Sequence, residues 1–271
     1  MGTSEHKGTV LITGGSSGIG AIYADRLARR GYDLILVARN AERLRALTTR
    51  LSDATGRAIE IITAELTKQA DLTRVETVLR TDASIVMLLN NAGVGAAAPL
   101  LTSPVERLSG MIALNVLALT RLTYAVVPAF IARGTGTIIN IASAAAIVPE
   151  TLNGVYGGSK AFVLALSRAL HYELAEKGVR VQAVLPGATA TGVWNIAGSA
   201  TENVPAAFLM SADDMVDAAL AGLDQGELVT IPSLPEIADW AAFEAARLAL
   251  VPNLSRKLPA ARYGLASRRA A

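Results

Sequence analysis

Tyr156 and Lys160 stand four residues apart, the spacing that places two side chains on one face of a helix. A phenol, with an ordinary pKa near 10, exchanges protons poorly at neutral pH unless a nearby cation stabilises its phenolate. Lys160 can be that cation, so the pair is a candidate acid/base centre. Ser143 lies upstream, where a strand end and a loop can bring its hydroxyl back to the same helix.

A second candidate is the stretch TVLITGGSSGIGAIYADRL, residues 9–27. Gly14-Gly15-Ser16-Ser17-Gly18 fits G-x-S-x-G, the strained elbow that presents a hydrolase's nucleophilic serine. Gly14, Gly18 and Gly20 equally fit a glycine-rich turn that lets backbone approach a dinucleotide pyrophosphate. A serine hydrolase needs a histidine to take the proton and an upstream loop for the oxyanion. The two histidines are His6, which precedes the serine, and His171, deep in a helical segment, and the elbow would lie on the first strand. The dinucleotide reading meets no such obstacle: the turn exposes N–H groups and the following helix aims its positive end at the phosphates.

The positioning elements are short β-branched runs alternating with helical segments. Strands are predicted at 9–13, 33–39, 58–64, 84–92, 136–143, 179–186 and 228–232. Seven apolar runs with helices between them specify an α/β fold, a parallel sheet covered on both faces. Right-handed crossovers then place binding groups at the carboxyl ends of the strands, where strand order reverses. The clearest helices are the one closed by Gly31 and the one after Tyr156, closed by Gly178. No linker, repeat or charge run divides the chain, so residues 1–271 read as a single domain, with a C-terminal extension over about 233–271. Residues 188–210 lack clean periodicity and read as a lid at the strand ends.

Composition narrows the classes. Hydrophobic residues make up 52% and aromatic residues 4%, so small aliphatic side chains build the core. The net charge is +2 with no basic stripe, which gives nucleic-acid binding no support. No cysteine is present, so disulfides, thiolate metal sites and a cysteine nucleophile are excluded, and no metal site is expected. The first ten residues carry no apolar signal core, so a cytoplasmic location is expected. The apolar stretch 111–131 contains Asn115 and Arg121 and reads as a buried or interface helix rather than a membrane span.

Thr13-Gly14-Gly15-Ser16-Ser17-Gly18-Ile19-Gly20 is the T-G-x-x-x-G-x-G pattern of the short-chain dehydrogenase/reductases. Asn90-Asn91-Ala92-Gly93, Asn115, Ser143, Tyr156 with Lys160, and Pro186-Gly187 follow in that family's order, so the chain resembles the family over about residues 8–232. The resemblance implies a Rossmann-type doubly wound sheet of about seven strands and an oxidoreductase that interconverts a carbonyl and an alcohol by hydride transfer. It implies that Tyr156 protonates the carbonyl oxygen, Lys160 also holds the nicotinamide ribose, and Ser143 orients the substrate oxygen. Asn115 is implied to anchor a water and a backbone group that pass protons to the lysine. Cofactor contacts are implied for Thr13, Gly14, Ser16, Ser17, Gly18, Ile19 and Gly20 on the turn and for Asn91, Ala92 and Gly93 on the adenosine side. Pro186, Gly187, Thr189 and Thr191 are implied near the nicotinamide, and Glu65-Leu66 stands where many relatives carry Asp-Leu against adenine. One departure is Gly157-Gly158 before Ser159-Lys160, which costs roughly 1 kcal/mol of helix propensity per glycine.

Cofactor choice turns on the second strand. An NAD site usually places an acid about 20 residues beyond the glycines, on the ribose 2′-hydroxyl. Here Arg39 and Asn40 stand there, with Arg43 one helical turn on, which favours NADP(H) over NAD(H). Val94, Val148, Val193, Trp194, Ile196 and Phe208 are candidates for an apolar substrate wall, suited to hydrophobic or 3-oxoacyl-like ketones. Surplus apolar residues over 104–132 and 156–177 predict a homo-oligomer, a dimer or tetramer. The alternative function is a catalytically silent NADP(H)-binding regulatory or scaffold protein.

Overall fold

The computed structural model describes residues 7–191 and 205–265. Strands β1 (Thr9–Thr13), β2 (Asp33–Ala38), β3 (Ile59–Thr63), β4 (Ile85–Asn90), β5 (Gly136–Ile141) and β6 (Val179–Val184) run where the apolar stretches predict, β1 with the same bounds and the others trimmed by one or two residues at one or both ends. β7 (Thr189–Ala190), β8 (Met210–Ser211) and β9 (Val229–Thr230) complete the set. The main sheet has the order β3-β2-β1-β4-β5-β6-β9, and every pairing in it is parallel. Strand order reverses between β1 and β4, so the crevice at their carboxyl ends is the place for a ligand.

Side-chain alternation splits the core into two layers. Val10, Ile12, Leu34 and Leu36 face α1 (Gly18–Arg29), α2 (Ala41–Thr55) and α7 (Ala212–Asp224). Leu11, Ile35, Val37 and Leu88 face α3 (Gln69–Thr81) and α5 (Leu119–Arg133), with Phe130 fully buried among them. Each such side chain contributes about 1.5–3 kcal/mol by leaving water, and strands buried on both faces are what a parallel sheet requires.

Three elements depart from the sequence reading. The helix expected over 104–132 is α4 (Val105–Ile112) and α5 joined by a π-helical turn, Ala113–Ala118. The extra residue in that turn breaks the 3.6-residue period, and turns of this kind gather at functional sites. By length and composition the stretch Val105–Arg133 could cross a membrane, and its inner face packs on the sheet and α3. Helix α6 (Gly154–Leu174) begins before Tyr156 because the Asn153 side chain caps it, accepting from Val155 N at 3.0 Å. The two ends of the expected lid, β7 and β8, pair in parallel, Thr189 with Met210 and Ala190 with Ser211. Two-residue strands carry no readable period.

The chain forms two compact units, the first extending to Ser233 and the second beginning at Leu234. The second contains α8 (Ile237–Ala249), in which the rings of Trp240 and Phe243 stack 5.2 Å apart.

Candidate active site

Two strand ends are locked together at the reversal point. The Thr13 hydroxyl accepts from Asn91 N and Ala92 N, both at 3.0 Å, and the Asn91 amide donates to Thr13 O at 2.9 Å. Gly14 has φ +68°, and a Cβ there would lie 2.8 Å from the Asn91 amide nitrogen. A Cβ on Gly20 would meet Gly14 O at 2.4 Å, so glycine alone lets α1 seat on the turn. Ser17 makes no side-chain cap on α1, which leaves the first-turn N–H groups to a ligand.

A cavity of about 700 Å³ opens above this junction. Gly14, Ser16, Ser17, Gly18 and Ile19 form its floor, and Asn91, Ala92, Gly93 and Val94 one wall. Arg39, Asn40, Arg43, Glu65 and Leu66 close one end, while Tyr156, Lys160, Leu114 and Thr191 stand at the other. Val37, Ala38, Ala64, Gly95 and Ile141 also line it and escaped the sequence reading, although the rule for strand carboxyl ends points at them. Thr13, Gly20, Asn115, Ser143, Pro186, Gly187 and Thr189 do not line it. Thr13 and Gly20 brace the turn from behind, and Pro186 O accepts from Ala144 N at 2.9 Å, tying the loop after β6 to the loop that carries Ser143. Asn40 spends its carbonyl oxygen on capping α2, accepting from Arg43 N at 2.8 Å.

At the other end Ser143 follows β5, its hydroxyl accepting from Ala145 N at 3.2 Å and donating to Pro186 O at 3.5 Å, next to the Tyr156 phenol. Lys160 is buried, and its ammonium donates to Ile141 O at 2.8 Å, 5.9 Å from the centre of the Tyr156 ring. Burial holds the Tyr156 phenol above its ordinary pKa, with the Ser143 hydrogen bond pulling part of the way back. Burial likewise lowers Lys160 to about 8. Desolvation is the largest influence on both groups and pushes each toward its neutral form. A neutral phenol is the proton-donating form.

Asn115 sits in the π-helical turn with its side chain fully engaged. Its oxygen accepts from Val94 N at 3.0 Å, and its amide donates to Val94 O at 2.9 Å and to Ser159 Oγ at 3.2 Å. Ser159 in turn donates to Tyr156 O at 2.8 Å, so Asn115 ties the loop after β4 to the first turn of α6. Ala96, Leu108 and Met111 form a small buried cluster on which Val94, Val155 and Tyr156 pack. Of the expected substrate wall, Val94 lines the cavity, Val148 and Phe208 are exposed, and Val193, Trp194 and Ile196 lie outside the described residues.

The floor of N–H groups and glycines, an arginine-bearing end and a buried Tyr–Lys pair fit a phosphorylated dinucleotide laid across the cavity. A Cβ on Gly18, at φ +53°, would meet nothing closer than Thr191 at 3.6 Å. The family model for short chain dehydrogenase matches residues 8–201, and the chain belongs to that family of oxidoreductases. A short-chain dehydrogenase from Sphingobium yanoikuyae solved with NADPH is 49% identical, covers 94% of this chain and 100% of its own, and superposes with a TM-score of 0.91. The bulky-bulky ketone specific alcohol dehydrogenase from Comamonas testosteroni is 43% identical over 96% of this chain and 99% of its own, with a TM-score of 0.88. A very-long-chain 3-oxoacyl-CoA reductase from Anas platyrhynchos is 34% identical over 67% of this chain. The match spans 59% of that relative's length.

Proposed function

We propose that the chain is an NADP(H)-dependent ketone reductase and alcohol dehydrogenase for apolar substrates, with Tyr156 as its general acid. The observation that carries this is one continuous cavity lined by Arg39 and Arg43 at one end and by Tyr156 and Lys160 at the other, with Ser143 next to the Tyr156 phenol. Bound NADPH would supply the hydride. Ser143 and Tyr156 present two hydroxyls to the substrate oxygen, and the neutral Tyr156 phenol holds the proton that the developing alkoxide takes. Lys160, fixed by Ile141 O, is the cation that meets the charge left on the phenol and the group in reach of a ribose. Val94 and Leu114, which line the cavity, favour a carbonyl flanked by hydrophobic groups. Relatives named for bulky ketones and 3-oxoacyl chains support that class.

We also propose a homo-oligomer. Leu117 and Tyr124 on the central helical stretch, with Phe162 and Tyr172 on α6, leave large apolar side chains in solvent, and a second copy would cover them.

The test is NADPH titration of the purified chain followed by a panel of aryl, steroid and 3-oxoacyl ketones. Stoichiometric binding with alcohol formed from bulky ketones is expected; binding with no turnover on any of them would favour a silent scaffold.

A further inference from the structure

Arg39, the cation assigned to the 2′-phosphate, is already paired: its Nη1 donates to Glu65 Oε2 at 3.1 Å across the mouth of the cavity. We propose that Glu65 is a specificity-determining residue that limits how strongly this site favours a 2′-phosphorylated nucleotide, by neutralising Arg39. The proposal rests on the reading of NADP(H) as the cofactor.

Glu65 is the fixed partner of the two. Its Oε1 accepts from the Thr67 hydroxyl at 3.0 Å, its own N–H donates to Asp71 Oδ2 at 2.8 Å, and its carbonyl accepts from Lys68 N at 2.8 Å. The Arg39 side chain is 68% exposed against 25% for Glu65, so the guanidinium is the group that turns toward an incoming phosphate while the carboxylate stays. Arg43, which lines the same end, makes no side-chain hydrogen bond or ion pair among the described residues. The adenosine end thus holds two cations and one anchored anion.

A 2′-hydroxyl is neutral and meets that carboxylate at little cost. A 2′-phosphate is repelled by it and must also draw Arg39 away. Glu65 therefore acts on the difference between the two cofactors rather than on the binding they share.

The experiment is titration of the full chain with NADPH and with NADH at low and moderate salt, for the parent, Glu65→Gln, Arg39→Gln and the double variant. Glutamine keeps an acceptor for Thr67 and removes the charge. Glu65→Gln is expected to raise the NADPH-over-NADH affinity ratio roughly two- to fivefold. The gain should shrink with salt and be smaller in the Arg39→Gln background, where only the direct repulsion between Glu65 and the phosphate is relieved. A ratio unchanged or moved toward NADH overturns the proposal, as does an equal change in both affinities, the mark of a structural role. Parent affinities that are equal for the two cofactors and indifferent to Arg39 overturn the cofactor reading and the proposal together. A parent that favours NADPH with an inert Glu65 overturns the proposal alone.

Discussion

Lys160 Nζ donates to the carbonyl oxygen of Ile141 at 2.8 Å, so the buried ammonium beside Tyr156 is held by the last residue of β5. That bond aims the cation at the Tyr156 side without giving it a counter-charge. Its pKa is accordingly about 8, against an ordinary 10.5.

Stability should therefore rise with pH above 8. Between about 8 and 10.5 the unfolded chain keeps a proton that the native chain has released, which favours the native state as pH increases. Below pH 8 both states are protonated and the cost of the buried charge is present in full. Urea unfolding of the cofactor-free protein at pH 8 and pH 9.5 should show a gain of roughly 1–2 kcal/mol, absent in Lys160→Met. The raised phenols of Tyr156 and Tyr23 oppose this gain only weakly up to pH 9.5, since an ordinary phenol titrates near 10, and they do so equally in both proteins. Equal slopes in the two proteins would contradict the burial of a charged Lys160.

Asn115→Ala should unfold at lower temperature and turn over more slowly. The change leaves the N–H and C=O of Val94 and the Ser159 hydroxyl short of a partner, a cost of about 1–3 kcal/mol, and frees the first turn of α6 from the β4 loop. An unchanged Tm with unchanged kcat would show that the tie is dispensable.

The two glycines before Ser159 should behave oppositely. A Cβ on Gly157 would sit 2.6 Å from Pro149 Cβ and 2.8 Å from Pro149 Cα, so Gly157→Ala must push α6 off the loop that follows Ser143 and lower both Tm and kcat. A Cβ on Gly158 meets nothing within 4 Å. Gly158→Ala should stabilise by up to about 1 kcal/mol, raising Tm by roughly 2–4 °C. A loss of stability in Gly158→Ala would be the contrary result.

Arg39→Asp should shift preference from NADPH toward NADH. A carboxylate in place of the guanidinium repels the 2′-phosphate and can accept from a 2′-hydroxyl, so kcat/KM with NADPH should fall about tenfold or more while that with NADH holds or rises. No loss with NADPH would show that Arg39 does not meet the phosphate.

Much of this architecture was legible in the residues. The apolar runs located the strands of the main sheet because strands buried on both faces have continuous hydrophobic stretches. The glycine pattern located the turn because a φ of +68° at Gly14 and the contact of Gly20 with Gly14 O admit no side chain. The π-helical turn at Asn115 was not legible, since one extra residue in a turn leaves an apolar stretch looking like one long helix. The β7–β8 pair was too short to show a period. The desolvation of Tyr156 was not legible because spacing reports which charges are near, while desolvation depends on how the whole neighbourhood packs. The Arg39–Glu65 ion pair joins the ends of two strands and has no signature in local sequence.

Tyr156→Phe, measured beside the parent for NADPH affinity and for alcohol formed per NADPH consumed from a bulky aryl ketone, tests the central claim most directly. The substitution removes only the proton-bearing hydroxyl. NADPH should bind within about twofold of the parent, while kcat falls roughly 10²- to 10⁴-fold. Parent-like turnover in Tyr156→Phe would contradict the assignment of this phenol as the general acid.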